Sequence, residues 1–199
     1  MRPASLLNII LTAFAGLLAT TFAALAATIH IVAFGDSATA GWLVRHDEAY
    51  PAQLQSMLRK KGYDVAVRNE GVSGDTVDGA LRRFDQAIAP GTQIAIVEFG
   101  TNDLRRGAPM RAVRSRLTGL IRALRARRID VLVVGLGSMD LADVARANGA
   151  LYAQWKLPAG KYRARDGQHF NAEGYKIVIE RMLPQVETLI ARRTIPQRK

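Results

Sequence analysis

The chain has no cysteine among its 199 residues. That absence excludes disulfides, a thiol nucleophile and any cysteine-ligated metal. Histidine is scarce. The three present, His30, His46 and His169, do not cluster, so nothing points to a metal enzyme. Acidic residues are missing from one long stretch. Between Leu104 and Ile129 there are nine arginines (105, 106, 111, 114, 116, 122, 125, 127 and 128) and no Asp or Glu. No aromatic residue interleaves with these arginines, and no nucleic-acid motif is present, so nucleic acid is not an expected partner. The Arg105 to Arg128 region fits either a solvated helix face or a patch for anionic surfaces. No segment calls for an obligate protein partner.

Only one long apolar run exists. Leu6 to Leu25 carries no charge, follows Arg2, and ends in the small-x-small triplet Ala24-Leu25-Ala26. Residues 1–26 therefore read as a secretory signal peptide, with an uncleaved membrane anchor as the other reading. The expected setting is outside the cytoplasm, periplasmic or secreted, or membrane-anchored if the leader stays. Residues 27–199 then form a single domain, large enough for a sizeable core.

Within that domain, β-branched runs alternate with helical patterns. Strands are expected at 29–34, 63–67, 93–99, 129–134 and 151–157. Helices are expected at 50–61, 77–88, 109–128, 141–147 and from Asn171 to about Arg192, with Pro184 marking a kink in the last. The third strand is nearly continuous in apolar residues apart from Glu98. Such alternation implies an α/β fold whose parallel sheet is covered on both faces. Ligands of such sheets bind beyond the carboxyl ends of the strands. Ser37, the Gly71–Gly74 loop and the Gly100–Asp103 segment each follow a strand directly, so all three belong to one rim.

The residue types at that rim fit acyl transfer. A serine hydroxyl needs a base beside it, and the base needs an acid to orient it. Ser37 supplies the hydroxyl, and Asp166-x-x-His169 supplies the other two. Gly74 offers a close backbone N–H and Asn102 a side-chain NH₂ for a developing oxyanion. Each residue also has a plainer explanation. Ser37 fits a helix cap, Asp166 and His169 a capped helix entry, Gly74 a turn, and Asn102 a turn or cap. Trp42, Leu43, Leu104, Met110 and Met139 lie on rim loops, as a substrate pocket or as core. Gly135-Leu136-Gly137 follows a strand but lacks the third glycine and the acidic partner of a dinucleotide fingerprint, so no nucleotide cofactor is expected.

Gly35-Asp36-Ser37, Ser73-Gly74-Asp75-Thr76, Gly100-Thr101-Asn102-Asp103 and Asp166-x-x-His169 together resemble, in order, the four blocks of SGNH hydrolases, also called GDSL esterases. Asn69-Glu70-Gly71-Val72 and Asn171-Ala172-Glu173-Gly174-Tyr175 extend the likeness, which spans residues 28 to 185. It looks most like the small exported thioesterase, lysophospholipase and arylesterase branch. The resemblance implies a flavodoxin-like three-layer α/β/α sandwich with a central parallel sheet of about five strands and no cofactor. It implies Ser37 as nucleophile, His169 as base and then acid, and Asp166 as the residue orienting His169. The Ser37 and Gly74 N–H groups and the Asn102 side chain would form the oxyanion hole. Asp36, Asp75 and Asp103 read as loop-ordering residues. Gly100-Thr101 replaces the branch's usual double glycine, and Gly135 to Ala150 lacks its proline-containing substrate loop, which leaves acyl preference open. The expected function is hydrolysis of small-molecule carboxylic esters or thioesters. A cell-envelope carbohydrate O-deacetylase is the alternative within that chemistry, and a non-catalytic binding protein is the alternative outside it.

Overall fold

Three short runs, around residues 31–34, 94–97 and 131–134, carry side chains that are apolar on both faces, and only a sheet buried on both sides accommodates them. The computed structural model describes residues 27–158 and 160–194. The leader expected at residues 1–26 lies outside them. Among the described residues no helix is long and apolar enough to cross a membrane.

The strands are β1 (Ile29–Gly35), β2 (Val65–Gly71), β3 (Ile94–Glu98), β4 (Asp130–Leu136) and β5 (Leu151–Trp155). They form one sheet in the order β2-β1-β3-β4-β5, with every pairing parallel. Between them run α1 (Ser37–Ala40), α2 (Tyr50–Lys60), α3 (Val77–Arg82), α4 (Phe84–Ala87), α5 (Thr101–Arg105), α6 (Met110–Ala126) and α7 (Ala142–Ala147). The last helix, α8, covers Ala172–Thr194.

Alternation along the strands splits the core in two. Ile31, Ala33, Ile94, Ile96, Leu132 and Val134 face α2 and α8, meeting Leu54, Leu58, Val178 and Met182. Val32, Phe34, Ala95, Val97, Val131 and Val133 face the other way, toward α3, α4, α6 and α7, with Leu117, Leu120 and Leu124 of α6 among them. Most of these side chains are fully buried. Each Val, Leu, Ile, Phe or Met among them contributes about 1.5–3 kcal/mol from apolar burial. The result is a helix–sheet–helix sandwich of the flavodoxin-like kind.

Two elements differ from the sequence expectation. The second strand runs from Val65 to Gly71 rather than 63–67. It pairs residue for residue with β1, so Arg68, Asn69 and Glu70 join the strand because register, not hydropathy, sets its end. As an edge strand it tolerates polar side chains. The expected 77–88 helix is two helices, parted at Arg83 (φ −103°, ψ 13°). The Arg83 guanidinium turns inward there, donating to Asp75 at 2.8 Å and to the Gly35 carbonyl at 3.2 Å. Helix α8 runs on past Pro184, the position of the expected kink. The carbonyl of Glu180 that loses its helical donor lies on an exposed stretch of the helix, where water can satisfy it.

Candidate active site

Glycine governs how the chain leaves β1. A Cβ at Gly35 would lie 2.0 Å from Thr39 Oγ1, and one at Gly71 would lie 2.1 Å from the Ala40 nitrogen. With both side chains absent, α1 sits directly on the carboxyl ends of β1 and β2. Asp36 caps α1 by accepting from the Ala38 N–H at 2.9 Å. Tyr175 of α8 donates its hydroxyl to the Ala38 carbonyl at 2.8 Å. The first residue of this clamped turn is Ser37.

From the other end of the chain comes a second tight turn. Asp166 accepts the backbone N–H groups of Gln168 and His169, both at 3.0 Å, across Gly167 in the left-handed region (φ 68°). Asn171 caps α8 through the Gly174 N–H and anchors the turn through the Lys161 and Arg163 carbonyls. This turn delivers His169 to Ser37, 132 residues away in sequence. His169 Nε2 lies 2.8 Å from Ser37 Oγ, and its Nδ1 lies 2.5 Å from Asp166 Oδ2. The hydrogen bond to His169 is the main cause holding the Asp166 carboxyl at a pKa of about 2.

Gly74 and Asn102 stand on the opposite side. Gly74 is left-handed (φ 78°), with open space where a side chain would be. Asn102 Nδ2 donates to Asp36 Oδ2 and to the Asp75 carbonyl, both at 2.9 Å, which ties the second and third rim loops to the residue beside Ser37. The three motif aspartates all hold loops. Asp75 accepts from Arg83 and Thr76, and Asp103 accepts from the Val77 N–H and from Arg116.

Beneath Ser37 lies a pair of acids that the motifs alone do not reveal. Glu98 ends β3 fully buried, and Asp36 is buried above it. Burial, then the neighbouring Asp36 charge, pushes the Glu98 carboxyl well above the usual carboxylate range. Burial raises Asp36 as well, against the Ala38 N–H, which favours its ionised form. Thr39 donates to Glu98 Oε2 at 3.1 Å, whereas Oε1 accepts no hydrogen bond among the described residues. A lone glutamate inside an otherwise apolar strand is the sequence signal for this pair.

A small cleft of about 40 Å³ opens at Ser37, walled by Thr101, Arg105, Leu136, Gln168, His169 and Phe170. These walls replace the expected set: Trp42, Leu43, Leu104, Met110 and Met139 do not line it. Met139 is buried beneath Gly100, where a Cβ would lie 2.9 Å from its sulfur. Leu104 and Met110 pack on the core, Trp42 is half exposed, and Leu43 sits in a left-handed turn (φ 68°).

The profile of the GDSL-like Lipase/Acylhydrolase family matches residues 33–156. The chain belongs to this family. The GDSL profile ends before Asp166 and His169, which this fold nevertheless brings to Ser37. The chain is 31% identical over 113 residues to an arylesterase of Vibrio mimicus, covering 56% of each chain. It thus spans little more than half of that relative. It is 30% identical over 138 residues to esterase TesA of Pseudomonas aeruginosa, covering 66% of this chain and 69% of that one. Among solved structures it resembles AlinE4, an SGNH-hydrolase family esterase, at 28% identity and a TM-score of 0.62, over 81% of this chain and 96% of that one.

The arginine-rich stretch also takes a definite form in this GDSL-family domain. Arg114 pairs with Asp143, Arg116 with Asp78 and Asp103, Arg125 with Asp130, and Arg127 with Asp85. The carboxylates missing from the stretch itself arrive from four other helices and from the start of β4. Most of α6 is therefore a charge-compensated face.

Proposed function

We propose that this protein hydrolyses small-molecule carboxylic esters through an acyl-enzyme formed on Ser37. The reading rests above all on the continuous path from Ser37 Oγ to His169 Nε2 at 2.8 Å and from His169 Nδ1 to Asp166 Oδ2 at 2.5 Å. With its Nδ1 hydrogen donated to Asp166, His169 keeps Nε2 as the acceptor for the serine proton. Ser37 Oγ then bonds to the carbonyl carbon while His169 takes that proton. The tetrahedral oxyanion is received by the Ser37 and Gly74 N–H groups and by Asn102, which trades one of its present acceptors for the new charge. Collapse expels the alcohol with the proton returned by His169. Water, deprotonated by His169, adds to the acyl carbon, and the acid leaves as Ser37 regains its hydrogen.

The narrow cleft and its short apolar wall of Leu136 and Phe170 favour small acyl groups. Thioesters and acetylated carbohydrates enter by the same chemistry, and chain-length preference separates these substrates. An organophosphonate probe followed by peptide mass spectrometry tests the nucleophile. Label is expected on Ser37 alone. Turnover of p-nitrophenyl acetate and butyrate is expected to fall by at least about 10³-fold in Ser37→Ala. Label on another residue, or undiminished turnover in the variant, overturns the assignment.

A further inference from the structure

One arginine at the cleft differs from the ion-paired arginines of α6. Arg105 stands one turn after Asn102 on α5 and lines the cleft beside Ser37. Its hydrogen bond goes to a neutral group, Gln168 Oε1, at 2.6 Å. Among the described residues it makes no ion pair. The nearby carboxylates are committed elsewhere. Asp166 holds His169, Asp36 holds Asn102, and Asp103 holds Arg116 and the Val77 N–H. Arg106, its neighbour, donates to the Gly74 carbonyl at 2.7 Å and likewise makes no ion pair among the described residues. A guanidinium has five N–H donors in a fork that matches an anionic oxygen group. Arg105 is shown with one of them engaged.

Its position gives the unspent donors a direction. Gln168 immediately precedes His169, and its own N–H is held by Asp166. Arg105 thus bridges the cleft mouth, from the helix that carries Asn102 to the turn that carries His169. An anionic group bound there shares the cleft with Ser37.

Building on the ester hydrolysis proposed above, we infer that Arg105 selects short esters that carry an anionic oxygen group, such as a carboxylate, close to the scissile carbonyl. The guanidinium binds that group with two N–H donors while Leu136 and Phe170 receive the hydrocarbon portion. Charge-assisted hydrogen bonds of this kind are worth about tenfold or more in selectivity.

Matched substrates test it. One pair is 4-acetoxybenzoate and 4-acetoxybenzamide, with the charge on the alcohol portion. The other is monophenyl adipate and its monoamide, with the charge on the acyl portion. The wild-type enzyme is expected to favour the anion by about tenfold in kcat/KM in at least one pair, and added salt should shrink that ratio. Arg105→Gln should bring the ratio near one, and Arg105→Lys should keep part of it. The same preference should appear as tighter binding of the anionic ester to Ser37→Ala by calorimetry. Equal treatment of both members in both pairs overturns the inference and leaves the hydrolase reading standing. So does a ratio that survives Arg105→Gln. If no ester turns over, the hydrolase reading falls, and the Ser37→Ala binding comparison alone decides the role of Arg105.

Discussion

Carboxyl groups flank Ser37 on two sides, and the protein holds them in opposite states. Asp166 lies in a turn open to solvent, bonded to His169 and two backbone N–H groups, and its pKa is about 2. Glu98 lies at the end of a central strand with no access to solvent, and burial drives its carboxyl well above the ordinary range. Chemistry is the same on both sides, and environment makes the difference. Donors beside a carboxyl favour the anion, whereas lost hydration favours the acid. An anion suits the side that orients an imidazole. An acid suits the side where Asp36 already occupies the buried space and a second charge would be costly.

Removing the charge on the open side should have the largest effect. Asp166→Asn keeps the shape but loses the acceptor that fixes the His169 tautomer. A fall in kcat of about 10³–10⁴ is expected, with little change in folding. The sign of the pH dependence follows from the depressed pKa. Asp166 contributes stability above the unfolded value of 3.8, lost only as pH falls toward about 2. An acid-side loss of activity above pH 4 therefore does not come from Asp166, and the Asn variant should keep any such limb. A variant that retains most of its turnover would break the contrast. Asn102→Ala comes next. It removes one oxyanion donor and the tie to Asp36, and about 10²–10³ in kcat should be lost with KM little changed. A rise in KM alone would move Asn102 out of that role.

The contrast itself was only half legible in the sequence. Parallel strands bring their carboxyl ends to one rim, so Ser37, Gly74 and Asn102 fall together as soon as the strands are placed. The turn at Asp166 to His169 is readable because Asp, Gly and a following Asn cap are local signals. Pairings between distant segments are not local. The partners of Arg114, Arg125 and Arg127 come from Asp143, Asp130 and Asp85, and nothing in the arginine stretch announces them. The walls of the cleft are hard to read for a similar reason. Whether Met139 or Leu136 faces Ser37 depends on how the chain leaves β4, and the bare Cα of Gly100 draws Met139 under the rim. The second strand shows the same limit, since its register with β1 carries Arg68 to Glu70 into the sheet against their propensity.

The buried side yields the smallest change in activity and the sharper test of the comparison. Glu98→Gln keeps the shape, and its amide can donate to Asp36 much as the protonated acid does. Turnover should stay within about threefold, since this side chain meets Ser37 only through Asp36 and Thr39. Stability should respond instead. The folded protein keeps a proton on Glu98 that the unfolded chain releases above about 4.5, the ordinary value of this group. Folded molecules then bind more protons than unfolded ones, so this group's contribution to stability declines as pH rises from there toward its folded pKa. One such proton gives a slope of up to about 1.4 kcal/mol per pH unit. The Gln variant lacks that slope, so it should gain on the wild type as pH is raised from 5 to 8 in urea unfolding. A difference that stays constant over this range means that Glu98 is ionised in the folded protein. Glu98 and Asp36 would then be charged side by side, and a compensating donor would have to reach Oε1.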